Sequence, residues 1–363
     1  METAHSPKPI HVLMMPDYRA DNPYQTLLEK ALQTQDIQVH FPWGYRRILP
    51  IFRMVKGIQP AVSVLHFHWF TPYMKGKRKL VRLVYTIKFL IDILITRFLG
   101  VKVVWTVHNL RSHNTEFAGL DIWINRQMAK LADRIIVHHD STLAQIVQTY
   151  RFDAAKAEVI PHGHYRDVYC PAIAALEARQ ALGLPLIGRV YLHLGMIRPY
   201  KGIEFLLQTW QENHSQMAEA TLLIAGKALD NDYKLQLTQK IAETEGVQYY
   251  PEFVKAGEIH TFFSAADIVV LPFQDILTSG SLILAMSYGK PIIAPTLGGI
   301  PETLGSADGL LYDPSDPEGL LKALRRSTQV DLSQLAQLTE IACDRLDWQE
   351  IGRKTGELYQ KLL

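Results

Sequence analysis

The chain has 363 residues, 48% hydrophobic and 20% charged, a globular composition that excludes a disordered or fibrous protein. Its length exceeds one ordinary domain and predicts two of about 150–200 residues each. A net charge of +2 excludes a wholesale nucleic-acid coat, and two cysteines, Cys170 and Cys343, exclude a disulfide framework or a four-cysteine zinc site. The opening METAHSPKP carries no basic-then-apolar leader, which predicts a cytoplasmic chain.

In chain order, HVLMMP (His11–Pro16) reads as a first strand. Pro23–Gln33 follows as a helix, with Asn22 placed to cap it and Leu27, Leu28, Ala31 and Leu32 on one face. Between Arg46 and Lys102 the only acid is Asp92, and twelve basic residues give this segment +11, leaving −9 for the rest. The segment holds the apolar stretch LVRLVYTIKFLIDILITRFLGVKVVW, interrupted by Arg82, Lys88, Asp92 and Arg97. No uncharged run reaches the roughly 20 residues of a transmembrane helix. The stretch reads either as a basic amphipathic helix packed in the core or as a surface that rests on anionic lipid. The scarcity of acids favours the lipid surface.

SVLHFHW (Ser63–Trp69), KVVWTVHN (Lys102–Asn109) and RIIVHH (Arg134–His139) are further strands of an α/β domain over 1–168. A second series over 169–345 has strands at VYLHLG (Val190–Gly195), TLLIAG (Thr221–Gly226), VQYYPE (Val247–Glu252), DIVVLP (Asp267–Pro272) and PIIAP (Pro291–Pro295). Residues 346–363 read as a terminal helix returning to the first domain. Two similar α/β halves put the natural ligand site in the cleft between them, at the carboxyl ends of the strands.

Three turns of the second half suit a phosphorylated ligand. After the strand ending at Gly195, Arg198 and Lys201 sit where a helix begins, beside free N–H groups and a partial positive charge. An isolated R-x-x-K is more often a solvated pair. Thr278, Ser279, Gly280 and Ser281 form a hydroxyl-rich turn before an apolar helix, more than a plain cap requires. The turn LGGIPETLG sets paired glycines before Glu302.

These turns resemble the nucleotide-sugar domain of GT-B glycosyltransferases, specifically glycosyltransferase family 4 and its relatives. The matching residues are G-x-x-R-P-Y-K-G at 195–202, I-A-G at 224–226, A-A-D-I-V-V-L-P at 265–272, S-G-S-L-I-L-A-M-S-Y-G-K-P-I-I-A-P at 279–295, G-G-I-P-E at 298–302 and L-Y-D-P-S-D-P at 311–317. In the first half N-P-Y at 22–24, H-F-H-W at 66–69, W-T-V-H-N-L at 105–110 and P-H-G at 161–163 agree, so the resemblance covers nearly the whole chain.

The resemblance implies two Rossmann-like domains with an interdomain cleft, a UDP- or GDP-linked sugar as co-substrate, and no cofactor or metal. Carried over, Arg198 and Lys201 would neutralise the leaving diphosphate. Gly195, Gly226, Thr278, Ser279, Gly280, Ser281 and Glu302 would bind the donor, and His108 would approach the transferred sugar. Asn22, His68, Asn109 and His162 would face the acceptor, a glycan or polyprenyl-linked glycan. The place of action would be the inner face of the cytoplasmic membrane, with an anionic surface and no nucleic acid as partner.

The sequence departs from the family where a pair of glutamates is usual: Ile276 and Leu284 stand there, with Asp275 beside the first. Met196 replaces the usual Arg after the strand glycine, leaving Arg198 as its stand-in. Donor identity is therefore not carried over, and the variant resembles a subset that includes β-mannosyl and β-glucosyl transferases of lipid-linked polysaccharide assembly.

His66 and His68 alternate on one strand and share a face without a third zinc ligand nearby. His138, His139 and Asp140 end a strand at a possible sugar contact, and His162 and His164 flank the joint as a hinge or donor contact. An inverting enzyme needs a base, for which Asp17 and His108 are candidates; a retaining one lets the leaving phosphate take the proton. The alternative is a noncatalytic sugar- or lipid-binding partner that kept the fold without the glutamates. A dehydrogenase is disfavoured because no G-x-G-x-x-G follows a strand.

Overall fold

In the computed structural model, described for residues 9–42, 48–110, 117–213, 217 and 219–363, the chain forms two compact units. One contains residues up to Gly163 together with Asp347–Leu363, and the other is His164–Leu346. Residues 1–8 of the opening segment, and Arg46 and Arg47 of the basic segment, lie outside the described residues.

The first unit holds a six-stranded parallel sheet: β1 (Ile10–Met15), β2 (Ile37–His40), β3 (Val64–Phe67), β4 (Lys102–Thr106), β5 (Arg134–Val137) and β6 (Ala157–Val159). The order β2-β1-β3-β4-β5-β6 reverses direction between β1 and β3, the point at which the loops leaving the strands of an open α/β sheet diverge. Alternation sends Val12, Met14, Val64, Val104 and Ile136 to one face, where they meet Leu28 and Leu32 of the helix Tyr24–Gln33. Ile351, Leu358 and Tyr359 of the helix Trp348–Gln360 cover the same face. Ala31 and Gly352 touch where these two helices cross, and a Cβ on Gly352 would lie 2.7 Å from that of Ala31. Helix Tyr24–Gln33 begins one residue after Pro23, and Asn22 enters it through a turn, its Oδ1 accepting the Tyr24 N–H at 3.0 Å.

The apolar stretch of the basic segment is the twenty-residue helix Lys79–Phe98. Its inner face presents Thr86, Phe89, Ile93 and Thr96, with Phe89 edge-on to Phe67 of β3. The single acid, Asp92, is buried here and works as a cap for another helix, Pro50–Gly57. Its two oxygens accept the Ile51 and Phe52 N–H groups, each at 2.9 Å. Burial raises the carboxyl pKa, and the two amides offset part of that rise. Asp92→Ala orphans both amides, so it should lower the stability of this unit by about 2–4 kcal/mol, and Asp92→Asn by less. Urea midpoints check this; an alanine variant within about 0.5 kcal/mol of the parent would remove the cap assignment.

The second unit repeats the plan with β7 (Val190–Leu194), β8 (Thr221–Ala225), β9 (Val247–Tyr250), β10 (Ile268–Val270), β11 (Ile292–Pro295) and β12 (Leu311–Tyr312). All are parallel, in the order β12-β11-β10-β7-β8-β9, which places the reversal between β7 and β10. Tyr191, Leu222, Ile224, Ile268 and Val270 pack one face against Leu206, Leu207 and Trp210 of the helix Ile203–Asn213. No helix among the described residues is long and apolar enough to cross a membrane.

Candidate functional site

In the second unit the loops leaving β7 and β10 are laced together. Gly195 N–H donates to the Ala225 carbonyl at 3.0 Å and Ile197 N–H to that of Lys227 at 3.0 Å, which fixes the first loop along the end of β8. Gly226, at φ +149°, has no room for a side chain: a Cβ there would stand 2.0 Å from the Gly195 oxygen. Pro199–Lys201 form one 3-10 turn, and the Tyr200 carbonyl accepts the Gln274 N–H of the β10 loop at 2.8 Å. The third predicted turn joins on, with Gly299 N–H donating to the Leu277 carbonyl at 3.0 Å.

This lacing brings Lys201 and Ser281 to one point, Nζ to Oγ at 3.3 Å, directly beside Gly195. Lys201 is buried and no carboxylate among the described residues pairs with it. Burial, and secondarily the Arg198 charge, push its pKa down to about 8. Arg198 is half-buried on the same loop. Ser279 caps the helix Gly280–Ser287, its Oγ accepting the Leu282 N–H at 3.1 Å. The Thr278 hydroxyl is buried without a hydrogen-bond partner among the described residues. Among the described residues a Cβ on Gly280 would meet only the Tyr165 hydroxyl, at ordinary contact distance, so their packing does not demand glycine there. A buried unpaired cation, an orphaned hydroxyl and a helix start together form a cradle for an anion.

Glu302 is exposed in the first turn of the helix Ile300–Leu304, and Asp275 is an exposed loop residue. His193, on β7, is buried and held neutral, its pKa pushed down to about 3 by burial and then by Lys201. Sequence reasoning had not singled it out; a histidine inside an apolar strand two residues before the glycine was the available signal.

A lysine with a pKa near 8 makes anion binding pH-dependent. Below that value Lys201 is charged before the ligand arrives; above it, binding must first recruit a proton. The association constant of a nucleoside diphosphate should be level near pH 7 and fall above about pH 8, by up to tenfold per unit. Calorimetric titrations between about pH 7 and 9.5, where the terminal phosphate no longer titrates, check this. Lys201→Met should flatten the curve.

In the first unit four histidines follow four adjacent strands: His68 after β3, His108 after β4, His138 after β5 and His162 after β6. Neighbouring parallel strands lie about 4.8 Å apart, so side chains just past their ends meet sideways. His68 Nδ1 lies 3.0 Å from His108 Nε2, His108 Nδ1 lies 3.1 Å from His138 Nε2, and His138 Nδ1 lies 2.9 Å from the Ile160 carbonyl. His162 Nδ1 donates to the Gly163 carbonyl at 2.9 Å. His66 lies between the Tyr359 hydroxyl (2.6 Å) and the Thr106 hydroxyl (2.7 Å). Tyr24 stands edge-on to His108, and Trp69 stacks on it with ring centroids 4.4 Å apart. All five rings are buried, and burial lowers every pKa, that of His66 to about 3 and that of His162 to about 4. Among the described residues no group of three His, Cys, Asp or Glu could hold a metal ion.

Asn109 lies on the loop after β4, its carbonyl accepting the Tyr150 hydroxyl at 3.1 Å. Asp17 follows β1 and is gripped by Arg19, with Oδ1 to Nε and Oδ2 to Nη2 both at 3.0 Å. The Arg19 guanidinium holds this carboxyl below the usual carboxylate range, which makes Asp17 a poor proton acceptor at neutral pH. His108, the other candidate, is no better placed as a base: burial lowers its pKa, and both of its ring nitrogens are engaged by His68 and His138.

Two Rossmann-like sheets, the second bearing a cationic and hydroxyl-lined cradle at its reversal point, make up an α/β architecture suited to phosphorylated ligands. Residues 11–167 match the family model described as Glycosyltransferase Family 4, and residues 188–329 match Glycosyl transferases group 1. The chain belongs to the family 4 type of GT-B glycosyltransferases. It is 28% identical over 352 residues to a GDP-mannose:glycolipid 4-beta-D-mannosyltransferase of Xanthomonas campestris pv. campestris, covering 94% of this chain and 89% of that one. A D-inositol 3-phosphate glycosyltransferase of Corynebacterium urealyticum is 27% identical over 249 residues, covering 65% of this chain and 58% of the relative. In fold it is similar to Anabaena HepE, solved with UDP and glucose, at a TM-score of 0.71 and 19% identity, covering 97% and 99% of the two chains.

Proposed function

We propose that the protein moves a hexose from a UDP- or GDP-linked sugar to a glycolipid or lipid-linked glycan at the inner face of the cytoplasmic membrane, without a metal. The observation that carries this reading is the convergence of buried Lys201 and Ser281 beside Gly195, with Arg198 on the same loop. Charge builds on a leaving diphosphate as the glycosidic bond breaks, and two fixed cations stabilise it in place of a metal. Thr278, Ser279 and Gly280 supply the remaining donors at the helix start, and Gly195 and Gly226 let the loops close to that distance. The similarity to a GDP-mannose:glycolipid enzyme over nearly the whole chain supports a lipid-linked acceptor.

The deciding experiment is donor turnover with a panel of UDP-, GDP- and ADP-sugars, with and without excess EDTA. Turnover of at least one donor, unchanged by chelator, is the expected result. Loss with EDTA restored by manganese or magnesium would overturn metal independence, and no turnover with any donor would favour the noncatalytic reading.

A further inference from the structure

The hydrogen bonds among the histidines of the first unit have a direction. A carbonyl oxygen only accepts, so His138 presents Nδ1–H to Ile160. A neutral imidazole has a single N–H, which leaves His138 Nε2 a lone pair and makes His108 Nδ1 the donor to it. By the same rule His108 Nε2 accepts from His68 Nδ1–H. One backbone carbonyl therefore sets three tautomers in series, and His68 Nε2 emerges as a bare lone pair. That atom is buried and has no hydrogen-bond partner among the described residues.

Burial of all three rings and their mutual repulsion keep them uncharged, which is the condition the deduction requires. A neutral buried lone pair rejects phosphate and carboxylate and suits a hydroxyl donor. Half-buried Trp69, stacked on His108 and flanked by Tyr18 at 5.4 Å, adds an aromatic surface of the sort that packs against a pyranose ring.

We infer that the Ile160–His138–His108–His68 relay orients a sugar acceptor, with His68 Nε2 accepting a hydrogen bond from one of its hydroxyls and His138 serving as a positioning residue. The identity of the ligand as a sugar rests on the glycosyltransferase reading; the tautomers do not. Held neutral, the relay aligns the hydroxyl rather than titrating it.

The test is nuclear magnetic resonance on the full chain with 15N-labelled histidine. In the parent protein His138, His108 and His68 should all show the Nδ1–H tautomer; an Nε2–H signature at His108 or His68 would overturn the relay whatever the enzyme does. Methyl glucosides, mannosides and galactosides are then added, and at least one should shift His68 Nε2. A panel that leaves this nitrogen unmoved at saturating concentration overturns the assignment of the site. In His138→Phe the His68 tautomer should become mixed and glycoside affinity should fall about tenfold. His138→Gln, whose amide both donates to Ile160 and accepts from His108, should restore both to within about threefold. Equal losses in the two variants would reduce His138 to packing. Binding of UDP and GDP, measured in parallel, reports separately on the donor reading, and the parent spectrum decides the tautomers even if His138→Phe does not fold.

Discussion

Arg198→Ala and Lys201→Ala should each lower donor turnover about 30- to 1,000-fold, equivalent to roughly 2–4 kcal/mol of transition-state stabilisation. The size follows from where the charges lie. Lys201 is buried beside Ser281 at the end of β7, so little solvent screens it from a leaving phosphate. Arg198 is more exposed and should sit at the lower end of the range. Because the diphosphate gains charge as the bond breaks, kcat should fall further than donor affinity does. Lys201→Met keeps most of the volume while removing the charge, and should lose as much as alanine does. Both single variants turning over a natural donor at the parental rate would show that the leaving group is stabilised elsewhere.

Replacing Lys75, Lys77, Arg78 and Lys79 together by Gln should weaken binding to anionic vesicles by up to about 1,000-fold at low salt, since each cation near such a surface contributes on the order of 1 kcal/mol. All four are exposed at or before the start of the helix Lys79–Phe98. That start has no side-chain cap and no acid in its first turn, so cations stand where the helix dipole disfavours them. An external anion removes the conflict. Along the same helix Leu80, Val84, Ile87, Ile91, Leu94 and Phe98 form an exposed apolar stripe at alternating spacings of four and three, with Phe98 89% exposed. Such a stripe beside a basic cluster fits the interfacial region of a bilayer. Co-sedimentation with neutral and anionic vesicles at low and high salt measures the effect, which should shrink as screening contracts to about 8 Å. Donor turnover should be unchanged in the quadruple variant. Equal binding to both kinds of vesicle, or to neither, would make the stripe a solvated or protein-facing surface.

The charge total of this segment overstated what reaches its surface. Arg82 pairs with Asp121 at 2.8 Å and Arg97 with Asp133 at 2.9 Å, so two of the cations counted in that total are engaged within the fold. Their partners lie 39 and 36 positions away, beyond the reach of local pattern.

Period and composition alone determined β1, β3, β4, β5, β7, β8, β9, β10 and β11, most of them buried on both faces and therefore apolar nearly throughout. They also determined the glycine and hydroxyl turns after β7 and β10, because a close approach to phosphate needs small residues and donors in consecutive positions. The strands β2, β6 and β12 were not legible: IQVH and AEV are interrupted by polar residues and LY has only two, so they owe their extended form to a neighbour's hydrogen bonds. Periodicity showed that Leu80, Val84 and Ile91 share a helix face, but not that the face is uncovered; only packing of Phe89 and Ile93 against the sheet decided that. The histidines were each visible as residues near strand ends. Their coupling and direction depend on strand order and on one carbonyl, Ile160, and a hydrogen bond between residues 22 to 40 positions apart exists only in the folded chain.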